Sequence, residues 1–263
     1  MSTHEHEAQG LGQERHRGPL REGERVQIRD PKGRLHTVIL VSGGRFQSNR
    51  GFIDHDDLIG CPDGQVITTE EGRQFQILRP LQVDYVMSMP RGAAVVYPKD
   101  AGTIVHYADI FPGAVVVEAG AGSGALSMAL LDAVGERGTL ISVERREEFA
   151  QIARDNVELW FGAPHPAWDL RVNDLADELN AMPESSVDRV VLDMLAPWEN
   201  LDAVAHALVP GGVLCCYIAT VTQMSRLIED LRSSQNFTDP IAWETLSREW
   251  HVDGLAVRPE HRM

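Results

Sequence analysis

Hydrophobic and polar positions alternate through the first third of the chain and then give way to apolar runs separated by helical spacings. Arg25-Val26-Gln27-Ile28-Arg29 and Leu35-His36-Thr37-Val38-Ile39-Leu40 flank Asp30-Pro31-Lys32-Gly33. Proline presets φ at the second turn position and glycine tolerates φ > 0, so the two segments predict an antiparallel hairpin. Residues 65–69 and 74–78 predict a second hairpin across Glu70-Glu71-Gly72-Arg73. Residues 18–86 therefore read as a small all-β domain. Past Pro80 the chain runs through Met87-Ser88-Met89-Pro90-Arg91-Gly92 to Tyr97-Pro98-Lys99-Asp100 and a helical pattern over 101–110, with Asp100 placed as its N-cap. The tetrapeptide also reads as a proline-stiffened linker that starts a helix. Strands are then expected at 115–118, 139–144, 170–173, 187–192, 213–218 and 254–257, alternating with helices. Such alternation predicts a parallel sheet covered on both faces, in a domain spanning 87–263.

The first of these strands enters the run Val115-Val116-Val117-Glu118-Ala119-Gly120-Ala121-Gly122-Ser123-Gly124-Ala125. A β-branched run suits a buried parallel strand, and glycines let the backbone turn sharply and approach a ligand. Leu126, Met128, Leu130 and Leu131 follow at helical spacing, which turns a helix N-terminus toward that ligand. Dinucleotide enzymes carry G-x-G-x-x-G at this place, whereas this chain has E-x-G-x-G-x-G, with the third glycine one residue early. The next strand ends in Glu144, where a carboxylate can accept hydrogen bonds from both hydroxyls of a ribose. Leu208-Val209-Pro210-Gly211-Gly212-Val213-Leu214 resembles the connection before the fifth strand of S-adenosylmethionine-dependent methyltransferases. The three signals in this order predict an α/β, Rossmann-like fold of that class, with S-adenosylmethionine as cofactor and a small N-terminal all-β domain.

The 263 residues, 43% of them hydrophobic, suffice for one domain of about 160 residues and a smaller one. No apolar run approaches the roughly 20 residues that span a bilayer, and residues 1–17 lack an apolar signal region, so no membrane and a cytoplasmic location are expected. The same 17 residues, with His4, His6 and His16, read as a disordered tail without zinc spacing. Asp54-His55-Asp56-Asp57 reads as a solvated loop, and no metal is expected. Cys61, Cys215 and Cys216 read as reduced core residues. The net charge of −15 is uneven: residues 1–100 hold 13 Lys and Arg against 14 Asp and Glu, and residues 101–263 hold 11 against 25. A polyanionic partner is therefore expected to meet the N-terminal region, or a groove where arginines outweigh the global sign.

The segment Ser186-Val187-Asp188-Arg189-Val190-Val191-Leu192-Asp193-Met194-Leu195-Ala196-Pro197-Trp198 resembles the tRNA (adenine-N1)-methyltransferases that act at tRNA position 58, in their actinobacterial form. Met89-Pro90-Arg91-Gly92, Tyr97-Pro98-Lys99-Asp100, Ala219-Thr220-Val221-Thr222-Gln223 and Gly254-Leu255-Ala256-Val257-Arg258-Pro259 extend the likeness over residues 20–263. The resemblance implies a tRNA substrate and a homotetramer. It implies that Gly120, Gly122, Ser123, Gly124, Ala125 and Leu126 line the cofactor, that Phe149 sits beside its adenine, and that Asp174 accepts from its exocyclic amine. Asp193 corresponds to the family's catalytic aspartate and also borders the cofactor; Thr222 and Gln223 line the substrate cavity. The buried target base must be flipped out, and Tyr97 and Trp198 are the stacking candidates, each equally readable as a core or lid aromatic.

The chemistry of the aspartate stands beside the resemblance. Adenine N1 is an unprotonated lone pair at neutral pH, and its methylation leaves a cationic ring. A carboxylate that accepts from the exocyclic amine orients N1 and stabilises the developing charge. An Asp at a strand end also reads as a cap of the following turn. Two differences from the family pattern stand out. The family continues past the position of His261-Arg262-Met263 into one more hydrophobic strand, so either the chain is shortened and its last strand absent or the C-terminus is built differently, and Ala93-Ala94 stands where a polar residue is expected at the second position. Three further readings remain: a cofactor-dependent methyltransferase of a protein or small molecule, a non-catalytic RNA-binding subunit, and, last, nicotinamide chemistry.

Overall fold

Residues 17–49, 51–92 and 94–260 are described by the computed structural model; the tail histidines, Ala93 and the final three residues lie outside them. The first hairpin forms as its alternation predicts, β1 (Arg25–Arg29) pairing antiparallel with β2 (Leu35–Ile39). A second hairpin, β3 (Arg45–Ser48) with β4 (Gly51–Asp54), has too short a pattern to stand out in the sequence. The predicted pair β5 (Val66–Thr68) and β6 (Gln74–Leu78) completes a four-stranded sheet in the order β2-β1-β6-β5. Val26, Ile28, Phe46, Ile53, Phe75 and Ile77 close its core. The acidic cluster is not a freely solvated loop. Asp54 is paired with Arg45, His55 is buried in a 3-10 turn, and Asp56 accepts from the Gly43 amide and the Ser42 hydroxyl. Together they clasp the β3–β4 hairpin, and no cluster of three metal-binding side chains occurs among the described residues.

The chain leaves the small sheet at Arg79, whose guanidinium bonds Glu24 Oε1 at 2.5 Å and the Gly18 and Pro19 carbonyls. Helix α1 (Gln82–Ser88) follows and belongs to the larger core, since Tyr85 packs 4.9 Å from the Trp160 ring. The expected domain boundary at residue 86 thus falls inside α1. Helix α2 (Pro98–Tyr107) begins on Pro98, not after Asp100. Proline has no N–H to leave unpaired in a first turn, so it starts the helix, and the Asp100 carboxylate is instead held by Lys99 Nζ at 2.7 Å and the Tyr217 hydroxyl at 3.3 Å.

Five parallel strands form the large sheet: β7 (Val115–Ala119), β8 (Thr139–Glu144), β9 (Trp168–Val172), β10 (Val187–Asp193) and β11 (Leu208–Tyr217). Their order is β11-β10-β7-β8-β9. Helices α3 (Ala125–Val134) and α4 (Glu147–Phe161) bury Leu130, Leu131, Val157 and Trp160 on one face, together with α1 and α2. Helices α5 (Leu175–Ala181) and α6 (Leu201–Ala207) bury Leu179, Val204 and Ala207 on the other. Helix α7 (Val221–Ser234) packs Leu227 and Leu231 on Leu201. The strand order reverses between β7 and β10, which opens a crevice at their carboxyl ends.

The expected strand at 254–257 is corrected. Gly254 and Leu255 form a two-residue turn between β12 (Trp250–Asp253) and β13 (Ala256–Pro259), which pair antiparallel with each other and do not join the large sheet. An Asp-Gly step with φ of +56° at the glycine favours the tight hairpin over an extended continuation. No described helix is long and apolar enough to cross a membrane.

Candidate active site

The glycine loop sits on the crevice between β7 and β10. Gly124 has φ of +81°, and an added Cβ would lie 3.0 Å from Val157 Cγ2 and 3.2 Å from the Ala153 carbonyl, so glycine lets α3 and α4 meet. Ala125 and Leu126 are buried in the first turn of α3. Glu144 is buried at the end of β8, where Oε2 accepts from the Gly122 amide at 3.0 Å and Oε1 from the Arg146 amide at 3.1 Å. A Cβ on Gly120 would stand 3.2 Å from Glu144 Oε2. Beneath the loop, Glu118 is fully buried and its Oε2 accepts from Ser127 Oγ at 2.6 Å and Ser142 Oγ at 2.5 Å. Burial pushes its carboxyl up to about 7, the two hydroxyls pull it down, and Asp193 and Glu144 add repulsion.

Asp193 ends β10 beside Tyr217 of β11, and its carbonyl accepts from the Gly120 amide at 3.1 Å. Its carboxylate has no hydrogen-bond partner among the described residues, and burial pushes it up to about 6. The Tyr217 hydroxyl is raised as well, by burial first and then by Asp100, with Asp193 and Tyr97 contributing. Tyr97, Asp100, Asp193 and Tyr217 thus gather at one end of the sheet, with Tyr97 46% exposed at the start of α2. Thr220 caps α7 through the Gln223 amide, Thr222 bonds Thr220, and Gln223 Nε2 donates to the Leu195 carbonyl at 2.9 Å. Gln223 therefore fixes the loop that follows Asp193. Trp198 is committed elsewhere: it packs on Leu201, Leu227 and Leu231 with the Arg226 guanidinium 4.3 Å from its ring.

On the other side of the loop, Phe149 carries the Arg146 guanidinium 3.6 Å from its ring centroid. Asp174 caps α5 by accepting from the Ala176 amide at 3.0 Å, and Arg145 Nε stands 3.6 Å from its other oxygen. Two residues that sequence reasoning missed bind this region together. The Gly92 amide donates to Ser123 Oγ at 3.1 Å, and Asn156 Nδ2 donates to the carbonyls of Pro90 and Ser123, both at 2.9 Å. The sequence did hold a signal for Asn156, a lone amide on the buried stripe that includes Ala153, Val157 and Trp160.

Residues 75–260 match the family described as the tRNA methyltransferase complex GCD14 subunit, and residues 18–67 match a TrmI-like N-terminal family. The chain belongs to the tRNA (adenine-N1)-methyltransferase family. Among its relatives is the tRNA (adenine(58)-N(1))-methyltransferase TrmI of Thermus thermophilus, 33% identical over 225 residues that make up 86% of each chain. The tRNA (adenine(57)-N(1)/adenine(58)-N(1))-methyltransferase TrmI of Methanocaldococcus jannaschii is 30% identical over 241 residues, 83% of this chain and 84% of that one. Solved structures share the fold as well. A SAM-dependent O-methyltransferase from Thermotoga maritima superposes with a TM-score of 0.84 at 29% identity, covering 96% of this chain and 92% of that one. The tRNA (m1A58) methyltransferase TrmI from Aquifex aeolicus gives 0.79 at 26%, covering 93% and 94%. The family's fold is the Rossmann-like one of SAM-dependent methyltransferases, here with its antiparallel N-terminal sheet.

Proposed function

We propose that this chain methylates N1 of the adenosine at position 58, in the T-loop of tRNA, with S-adenosylmethionine as donor. The observation that supports this most is the carboxylate of Asp193, without a hydrogen-bond partner among the described residues, at the crevice where the glycine loop also opens. A cationic donor fits a site into which Glu118, Glu144 and Asp193 all converge. Gly120, Gly122, Ser123, Gly124, Ala125 and Leu126 would hold the donor along the loop, Glu144 its ribose, Phe149 and Asp174 its adenine. When bound, S-adenosylmethionine supplies an electrophilic methyl carbon on a sulfonium. Asp193, ionised at neutral pH, accepts from the exocyclic amine of the target adenine, turns N1 toward that carbon and stabilises the ring cation that forms. No proton need leave N1, so Asp193 acts by charge and position.

The flipped base needs a stacking surface, and the exposed ring of Tyr97 suits it better than Trp198, which is packed under Arg226. Thr222 and Gln223 are assigned to the same cavity, a reading supported for Gln223 by its hold on the loop at Leu195. The nearly neutral balance of residues 1–100 supports docking of tRNA on the N-terminal region, and assembly as a homotetramer would let a groove between subunits contribute further arginines. A cytoplasmic, metal-independent reaction follows from this substrate and donor. The test is incubation with labelled S-adenosylmethionine and unmodified tRNA, followed by digestion. The expected product is 1-methyladenosine, lost when guanosine replaces adenosine 58. Label on protein or a small molecule, or RNA bound but never labelled, would select one of the other readings.

A further inference from the structure

Glu118, at the fourth position of β7, touches neither base nor reacting atoms in the mechanism above, yet it is the most deeply buried acid of the site at 0% exposure. Its two oxygens are treated unequally. Oε2 takes both serine hydroxyls, and Oε1 has no partner among the described residues. The direction of the Ser142 hydroxyl is settled by Trp168, whose Nε1 donates to the same Oγ at 2.9 Å and leaves Ser142 to donate onward to Glu118. A buried carboxylate oxygen without a donor is costly, more so when the group is ionised.

The neighbours make ionisation harder. From β8 comes Glu144, from β10 Asp193, and from α3 the uncharged Ser127; the Arg146 guanidinium stands 3.3 Å from Glu144 Oε1 and does not act on Glu118. Among the described residues no cation acts on Glu118. We propose that Glu118 is the residue that distinguishes the charged methyl donor from its uncharged thioether product: it releases its proton to solvent when a sulfonium enters the crevice and regains one after transfer. This rests on the reading that the site takes a sulfonium donor. Ionised Glu118 gains an attraction to the sulfonium that the uncharged thioether sulfur cannot return, whereas the α-ammonium common to both ligands acts on it alike before and after transfer. The site thereby holds the donor and loosens its grip once the methyl group has left. Glu118 is a positioning residue here, acting on charge and not on the reacting atoms.

Calorimetric titration of the full chain with S-adenosylmethionine and with S-adenosylhomocysteine, between pH 6 and pH 8, tests this. Both ligands carry the same α-amino group, so the ratio of their affinities isolates the sulfonium. That ratio is expected to move about tenfold in favour of the donor as pH rises from 6 to 8, with proton release on donor binding seen in buffers of different ionisation enthalpy. Glu118→Gln should remove the movement centred near pH 7 and leave only the smaller part that Asp193 contributes near pH 6. Ser142→Ala, which removes one donor to the carboxylate, should shift the midpoint to higher pH and covers the case in which the glutamine variant does not fold. A constant ratio in the unaltered protein, or an unmoved midpoint in Ser142→Ala, overturns the inference and leaves the function standing. Absence of donor binding at every pH overturns the function itself.

Discussion

At the scale of single residues, Asp193 joins a structural and a chemical argument. Its main chain is fixed by the Gly120 amide and its carboxylate has no hydrogen-bond partner among the described residues, the arrangement expected of a group kept for a ligand and not for a turn. Asp193→Ala is expected to abolish methyl transfer in single-turnover assays while donor affinity by calorimetry stays within about threefold, because the interaction lost is made to the base and grows in the transition state. Because burial lifts the carboxyl to about 6, the transfer rate of the unaltered protein should rise through that pH and level off above it. Normal turnover at saturation with weakened donor binding would remove the role assigned to it. In the sequence Asp193 is singled out by the resemblance, because a carboxylate closing an apolar strand reads equally well as the cap of a turn. Tyr217 and Asp100, 117 positions apart and joined by a hydrogen bond, leave no local pattern, and Glu118 hid inside a motif usually read for its glycines.

At the scale of elements, the segment ending at Gly92 shows what periodicity does not report. Strands β1, β2, β5, β6 and the five parallel strands follow from alternation and apolar runs, since those patterns record burial one residue at a time. The strap formed by Pro90, Gly92, Ser123 and Asn156 is a product of distant contacts, and nothing in Met-Pro-Arg-Gly announces it. An added Cβ at Gly92 would lie 2.5 Å from Phe149 Cδ1 and 2.8 Å from Ile152 Cδ1. Gly92→Ala should therefore cost about 1–3 kcal/mol of stability and weaken donor binding, because relieving the clash moves Phe149 or pulls the segment from Ser123. Thermal unfolding and calorimetry on Gly92→Ala, Phe149→Leu and the double variant would reveal coupling, with the smaller side chain recovering part of the loss. Strictly additive effects would mean the two residues do not meet. The start of α2 and the turn at Gly254 have a local origin instead, a proline that opens the helix and a glycine at positive φ that closes a two-residue turn.

At the scale of the whole molecule, the surplus of acids over bases sets how stability responds to pH. Exposed acids such as Asp54 and Asp239 are held below their usual range, Asp54 chiefly by its hydrogen bond to Arg45 and Asp239 by that to Arg232, so any stability they add is lost only in acid and is level above pH 5. Glu118 and Asp193 have the opposite sign. Raised from 4.5 to about 7 and from 3.8 to about 6, each favours the folded state fully below its unfolded value and loses that advantage as pH climbs through its folded one. Between pH 5 and 8 the protein without its donor should therefore become less stable, with Glu118 alone accounting for about 3 kcal/mol. At about 2–4 °C per kcal/mol for a chain of this size, that is a fall of roughly 6–12 °C in Tm by scanning calorimetry. Repulsion from the net charge of −15 adds to the slope in every variant alike, so the comparison that isolates the crevice is Glu118→Gln against the unaltered chain. The glutamine variant should lose the smaller number of degrees over the same interval and cross above the parent near neutral pH. Parallel curves would show that Glu118 is ionised in the folded state without cost, and the burial and repulsion from Asp193 and Glu144 would have no measurable effect on it.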